Sequence, residues 1–549
     1  MSSNNISVVS VSSAMQALPY EQTSLGRLSQ DLVQYIFEMG TWSTGEHTDS
    51  LMFPLLVSHV CRAWCALSRA TPTLWTLITL KDSSPIPNFH LDRQRLRLSQ
   101  DCSLTVYLDL RVPGWKYENE DAHPVDSRAV KRMFYVLQNH LKRIRSFTVI
   151  ADNFCPIHFT LQLLQTQPMP RLECLRVERA SHSYTTSDEF FPIHLVLPVP
   201  SLEEANTVPG YQLQSMSLLG AHVDWRRWTS TNLVWLTISY LPHEDRPSID
   251  LLRAVIGSCA HTLEYLEIQG AAPIMRDHEN YAWCPPIPTD ARVSLPMLKE
   301  LVLGYFEPAE AVLMITLFRY PALKALTLRD ICRSLAPPCA RDHSTYNASL
   351  VLETLCLRDT PIPSVEQLTL DGIHTEPISL LPLHFLLSFP ALHSFSVKDS
   401  SHSFIAALAL VPQTVLHKTV PPLTCPLLRV LTLISMDACI VVPVLQWRAL
   451  VAETTPGLTS RLASVAVYDA EWPADLSPQQ ARAALERFAD AVSVGQGYQE
   501  ADATSSSVDW MHWADEMGSD DEDEETDDEY LVDDEAYITE DFELGPYQP

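Results

Sequence analysis

From Pro170 onward the apolar positions fall into one recurring order: a leucine, two residues, an apolar residue, one residue, another apolar residue. It reads PRLECLRV at 170–177, YQLQSMSL at 211–218, TNLVWLTI at 231–238, HTLEYLEI at 261–268 and PMLKELVL at 296–303. It continues as PALKALTL at 321–328, LVLETLCL at 350–357, PALHSFSV at 390–397, PLLRVLTL at 426–433 and SRLASVAV at 460–467, with a degenerate earlier copy, IRSFTV, at 144–149. Alternation at the end of each copy predicts a short strand with one buried face. Helix-like segments such as IDLLRAVIGSCAH, PAEAVLMITLFRYP, SLLPLHFLLSFP and VVPVLQWRALVAET lie between several copies. A strand too short to bury its own inward face must stack beside its neighbours, with helices packed behind it. The expected fold is therefore α/β, a solenoid of helix–strand units with a parallel sheet over residues 81–475. A doubly wound sheet would want a glycine-rich turn after an early strand, and none is present.

Both ends differ from this pattern. LGRLSQDLVQYIFEMG predicts a helix with Leu28, Leu32, Ile36 and Met39 along one side and Ser29 placed to cap its first turn. After a loop, Phe53 to Leu67 repeats the pattern with Leu56, Val60, Trp64 and Leu67, and Pro54 falls in the first turn. A third short element, TPTLWTLITL, begins at Thr71. A helical unit of about 55 residues buries little surface by itself and wants a partner surface. Near the other end, SPQQARAALERFADAV offers Ser477 as a cap, Pro478 at the first helical position and Gln480 three residues on from Ser477. With Ala481, Leu485, Phe488 and Val492 on one side, it predicts a helix over 476–494 that covers the last repeat.

Charge refines the division. The chain has 549 residues and a net charge of −29. Arg487 is the last basic residue, and the 21 acidic residues after it leave only about −8 for the body. Residues 495–549, which include the block GSDDEDEETDDEY, are expected to be disordered, as is the serine-rich lead over 1–23. A body without a basic field gives no reason to expect nucleic acid. No stretch has eighteen uninterrupted apolar residues and the N-terminus has no basic n-region, so neither membrane spanning nor secretion is expected. The twelve cysteines include no C-x-x-C pair, which suits reduced thiols in cytoplasm or nucleus.

Metal-ligand and catalytic patterns are missing as well. Cys61 and Cys65 lie one helical turn apart, but only His59 is close in sequence and a metal needs more ligands. They are read as small packing thiols, and no metal or cofactor is expected. H-E-x-x-H, G-x-S-x-G and G-x-x-x-x-G-K-[ST] are absent, so nothing positive supports an enzyme.

Two segments together carry a resemblance. Leu28, Asp31, Leu32, Ile36 and Phe37 match the opening of the F-box pattern, with Ser29 where the family has proline. Val57, Val60, Cys61, Arg62, Trp64 and Leu67 match its second part, and Thr71, Pro72, Leu74 and Trp75 a frequent later T-P-x-L-W. An earlier LPYE at Leu18 to Glu21 imitates the opening but has Gly26 and Arg27 where Ile-Phe belongs. Residues 24–80 thus resemble an F-box domain, and the repeats resemble irregular leucine-rich repeats. The resemblance implies a substrate-recognition subunit of a cullin-type ubiquitin ligase, with no catalysis of its own. A Skp-type adaptor, and through it a cullin, would dock on Leu28, Ser29, Leu32, Ile36, Val60, Cys61, Trp64, Leu67, Leu74 and Trp75. The other reading is a leucine-rich scaffold whose F-box no longer docks.

A protein substrate would meet the outward side of the strands, where alternate side chains point away from the core. That places Tyr265, Glu267 and Gln269, then Ala325, Thr327 and Arg329, Thr354, Cys356 and Arg358, and Ser394, Ser396 and Lys398 on one face. Arg329, Arg358 and Lys398 would fall in line as a basic ridge for an acidic or phosphorylated segment. Because Asp330, Asp359 and Asp399 follow them directly, solvated strand-end charges are the other reading. In the acidic tail, Ser519 and Thr526 precede acidic runs that suit an acid-directed kinase, and the tail either solubilises the chain, folds back on the ridge or engages a basic partner.

Overall fold

The structure, a computed structural model, describes residues 28–495 apart from 43–46, 82–88, 113–123, 167–168, 181–212, 229–231, 243–244, 274–291, 336–346, 358–361, 377–378, 410–423, 437–439, 455–460, 471 and 473–477. The expected lead over 1–23 and the acidic tail beyond 495 lie outside the described residues.

Period-two patterning produces the strands β1 (Leu77–Lys81), β2 (Leu104–Asp109), β3 (Ile144–Ala151), β4 (Cys174–Arg179), β5 (Ser215–Leu219), β6 (Trp235–Ser239), β7 (Tyr265–Gln269) and β8 (Val293–Ser294). They continue as β9 (Glu300–Tyr305), β10 (Phe318–Arg319), β11 (Ala325–Asp330), β12 (Gln367–Asp371), β13 (Ser394–Lys398), β14 (Val430–Ile434), β15 (Leu462–Tyr468) and β16 (Ala489–Gly495). All but β8 and β10 join in one 14-stranded parallel sheet whose strand order is chain order. Its register holds from repeat to repeat. Val106, Phe147, Leu175, Met216, Leu236, Leu266, Leu301 and Leu326 stand side by side across eight strands. Each is buried, and they belong to one hydrophobic core that runs from Ile78 to Ala489. The fold is an α/β repeat solenoid.

Each strand must hand the chain to the helix side without leaving backbone groups unpaired. The residue just after β5, β6, β7, β12, β13, β14 and β15 takes a left-handed φ between 42° and 72°: Gly220, Tyr240, Gly270, Gly372, Asp399, Ser435 and Asp469. Its N–H donates to a carbonyl at the end of the next strand in the sheet, for example Tyr240 to Gln269 at 2.7 Å and Gly372 to Lys398 at 2.9 Å. The ladder thus gains one bond beyond the strand as the backbone turns away. Glycine is needed at 372, where a Cβ would meet the Asp330 carbonyl oxygen at 3.0 Å.

Carbonyls in the returning loops are gathered by buried guanidinium groups. Arg143 donates to the carbonyls of Leu96, Ser99 and Cys102, and Arg448 to those of Leu408, Thr424 and Cys425. Arg246 bonds the Leu241 and Ala272 carbonyls and pairs with Glu310 at 2.6 Å. One planar fork satisfies two or three acceptors from separate loops.

Before the sheet, α1 (Gln30–Trp42), α2 (His47–Val60) and α3 (Arg62–Ala70) are followed by a 3-10 turn over Pro72–Trp75. Val33, Phe37, Val57, Leu67, Leu74 and Trp75 form a second core of their own. Gly40 lets the helices meet, since a Cβ there would overlap the Phe53 ring.

Four expectations need correction. LVLETLCL is the helix Ser349–Cys356, because its L-x-x-L step is also a helical i, i+3 step and buries Val351, Leu352 and Leu355. The strand of that repeat is β12, carried by Val365, Leu368 and Leu370. The capping helix over 476–494 stops at Leu485, and Ala489–Gly495 is instead the last strand, paired parallel to β15. The run from Phe53 to Leu67 is two helices that break at Cys61; α2 starts at His47, so Pro54 lies inside it. Finally, Leu77–Lys81 is the first sheet strand, so the sheet begins within the span 24–80.

Candidate functional site

Two surfaces carry the residues singled out by sequence. On α1, Ser29 Oγ accepts from the Leu32 N–H at 3.4 Å and caps the helix. Val33 and Phe37 turn into the module core at 3% and 1% exposure, while Leu32, Tyr35, Ile36 and Met39 keep 52%, 58%, 46% and 53%. Leu28 is also exposed, and on α2 Met52, Leu56 and Val60 are half exposed or more. The helices therefore carry apolar side chains on faces that their own core does not cover.

Cys61 ends α2 and begins α3. Its backbone is extended, and its Sγ accepts from the Trp64 N–H at 3.4 Å, so the thiol acts as a helix cap. Cys65 lies one turn on, with its N–H bonded to the Cys61 carbonyl. The Trp64 ring packs edge-on against Phe37 with centroids 4.9 Å apart. Leu28, Trp64 and Leu67 come together, with Val33, Ala63 and Ala66, around a cleft of about 370 Å³ between α1 and α3. Leu67, Leu74 and Trp75 face inward. All three are buried in the module core, and Trp75 Nε1 donates to the Ser68 carbonyl at 2.7 Å.

On the sheet, the side chains that alternate with the core form three rows. The middle row contains Thr79, Thr148, Ser217, Thr237, Thr327, Thr369, Ser396, Thr432 and Ser493, short hydroxyls interrupted by Tyr107, Arg176 and Glu267. Tyr265, Glu267, Arg329 and Lys398 lie on this polar face, as alternation predicts. Arg358 lies outside the described residues, and the segment before it is helical, so Thr354 and Cys356 leave the face. The position between Arg329 and Lys398 belongs to Asp371. Its carboxylate, 2% exposed, receives Arg329 Nε at 2.9 Å and Lys398 Nζ at 3.3 Å. The expected basic ridge is thus a cation–carboxylate–cation triad.

Arg329 reaches further, donating from Nη1 to Gln269 Oε1 at 3.1 Å. This contact crosses β9, which Gly304 makes possible: a Cβ at 304 would come within 3.0 Å of the Gln269 side chain. Gln269 Nε2 in turn donates to Glu267 Oε1. Glu267 Oε2 accepts from the Tyr265 hydroxyl at 2.7 Å and from Thr237 Oγ1 at 3.4 Å. Trp235 lies flat against Tyr265, with centroids 3.4 Å apart and planes 8° from parallel, and its Nε1 donates to Thr237 Oγ1 at 3.2 Å. Nearer the first strands, Asp109 pairs with Lys81 and Arg111, and Glu178 with Arg176. Burial alone would raise the Asp109 carboxyl, but Arg111 and Lys81 outweigh it and hold it below its ordinary value.

Comparison with solved structures finds the crystal structure of the Rad7 and Elc1 complex in yeast. The likeness is slight. It has a TM-score of 0.32 and 13% identity and covers 82% of this chain and 90% of that chain, too little to carry an argument about function. No protein-family model and no curated protein matches the chain.

Sequence reasoning missed Trp235, Thr237, Gly304 and Asp371. Trp235 occupies the same place in TNLVWLTI that Tyr265 occupies in HTLEYLEI, so reading the repeats in register would have paired them. Asp371 was hidden because its repeat opens with Val365 rather than leucine. Among the described residues no group of three His, Cys, Asp or Glu is placed to hold a metal, and no helix is long and apolar enough to cross a membrane.

Proposed function

We propose that the chain is the substrate-recognition subunit of a Skp-cullin-F-box type ubiquitin ligase. In this reading α1–α3 dock on a Skp-type adaptor, the polar face of the sheet holds a protein substrate, and ubiquitin transfer belongs to other subunits. The observation that carries it is α1. This 13-residue helix satisfies its own module with Val33 and Phe37 and still presents Leu32, Tyr35, Ile36 and Met39 on its other side. Apolar side chains spaced by three and four residues along a helix suit helix-mediated docking. The resemblance of LSQDLVQYIF and VCRAW to the F-box pattern says which partner to try.

The test is a pull-down of the full chain with a purified Skp-type adaptor. Binding by the wild-type chain is expected, with loss in Leu32→Asp/Ile36→Asp and no change in its melting temperature, since neither side chain belongs to a core. If the wild-type chain does not bind, the proposal fails and the chain is a repeat scaffold.

A further inference from the structure

We propose that Glu267 anchors a lysine or arginine side chain of the protein held by the polar face, an inference that rests on that face being the substrate surface. In the middle and third rows, the other carboxylates all have cations. Asp109 has Lys81 and Arg111, Glu178 has Arg176, and Asp371 has Arg329 and Lys398. Among the described residues, Glu267 is held by neutral groups alone: the Tyr265 hydroxyl, Thr237 Oγ1 and the Gln269 carboxamide. Its neighbours in register, Thr237 and Val302, carry no charge. Arg329, the nearest candidate cation in the network, is tied to Gln269 and Asp371, so Gln269 stands between the guanidinium and Glu267.

Three donors fix the orientation of this half-buried carboxylate while leaving its charge uncompensated. A carboxylate offers about four acceptor sites, so one remains for an incoming donor. Beside it stands the Trp235–Tyr265 stack. One face of Trp235 lies on Tyr265, and on its other side the neighbouring strand presents only Ser215. An aromatic wall next to an oriented carboxylate suits an ammonium or guanidinium group, which gains from both the ring quadrupole and the charge. Loss of the ridge points the same way. With Asp371 inside it, the face has no run of unpaired cations among the described residues for an acidic segment, whereas Glu267 is an oriented anion with no cation beside it among them.

The test uses full-length protein and fluorescein-labelled decapeptide pools that share a fixed central residue, Arg, Lys, Ala or Glu, among mixed flanks, read by fluorescence anisotropy. Central Arg or Lys is expected to bind at least roughly tenfold tighter than central Ala, the gain expected from one charge-assisted hydrogen bond. Glu267→Gln should erase that difference at an unchanged melting temperature, and Glu267→Arg should turn the preference toward central Glu. Equal binding of all pools by the wild-type chain overturns the proposal, and so does a preference that survives Glu267→Gln. The adaptor pull-down on the same preparations separates the two claims. Lost adaptor binding with an intact preference for basic residues sinks the ligase reading alone, and the reverse sinks only the role of Glu267.

Discussion

Asp371→Asn keeps the shape of the side chain at the centre of the polar face and removes its charge. The carboxylate is 2% exposed and binds Arg329 at 2.9 Å and Lys398 at 3.3 Å. At an effective dielectric of about 20, each contact is worth roughly 5 kcal/mol before desolvation. Burying the carboxylate takes back much of that, and breaking a buried pair costs about 3–5 kcal/mol because it strands a charge. Here the stranded cations keep 24% and 35% of their side-chain surface and can relax toward water, which places the expected loss at or just below the bottom of that range, about 2–3 kcal/mol. Urea denaturation followed by tryptophan fluorescence measures the total, and hydrogen exchange at β11–β13 shows where it falls.

A double-mutant cycle isolates the pair. Arg329→Gln should destabilise the wild-type chain clearly and the Asp371→Asn chain hardly at all. Asp371→Asn should also improve binding of peptide pools with central Glu, because it frees two adjacent cations. An unchanged urea midpoint, together with equal effects of Arg329→Gln in both backgrounds, would refute the triad as the organiser of this face.

Three further outcomes follow from the packing. Arg448→Met removes a donor from the Leu408, Thr424 and Cys425 carbonyls and should cost about 3 kcal/mol, with faster hydrogen exchange at 424–434 and no change at β3–β5; exchange that rises equally everywhere counts against a local staple. Cys61→Ala should lower protection of the amides at 62–70 by about 1 kcal/mol, whereas Cys61→Ser should hold it, since serine is the better cap. His222 is stacked on Phe154 with centroids 3.7 Å apart, and its Nδ1 lies 3.2 Å from Asp245 Oδ2, whose charge favours the protonated ring; burial above all, with Arg179 and His158, outweighs it and pushes the pKa from 6.5 down to about 3. The unfolded chain therefore takes up this proton first. Stability from His222 is whole above pH 6.5 and falls by about 1.4 kcal/mol per pH unit as the pH drops toward 3. His222→Gln should flatten that acid limb in urea midpoints taken between pH 7 and 5, and a limb of unchanged slope would reject the assignment.

The strands were legible wherever a repeat began with leucine, since L-x-x-L-x-L joins a loop anchor to two inward strand positions. β1 and β2 lack the leading leucine, and β16 was absorbed into a helical reading of its neighbour because Ala481, Leu485, Phe488 and Val492 are spaced every three or four residues. Alternation at Ala489, Ala491 and Ser493 competes with that spacing, and pairing with β15 decides in favour of the strand. In the helical module the apolar stripe of Leu28, Leu32, Ile36 and Met39 was visible, but its direction was not. A helix with apolar residues on two sides does not say which side its own domain will cover. The smaller pair, Val33 and Phe37, faces inward because Phe37 meets Trp64 and Gly40 admits Phe53.

One misplaced repeat was enough to invert the chemistry of the sheet face. LVLETLCL and SVEQLTLD each place an apolar residue three positions after another, and both were available to stack between β11 and β13. The second is the strand because Gly372 follows it with a left-handed φ of 72°, the turn that closes six other repeats. The helix Ser349–Cys356 has no such residue at its end; Leu357 follows with φ −89°. Reading strands by the residue that ends them, rather than by the leucine that begins them, exchanges Arg358 for Asp371. With arginine the row is three cations and selects an acidic segment. With aspartate the cations are held in place, Glu267 is the charge left over among the described residues, and the proposed preference turns to a basic segment.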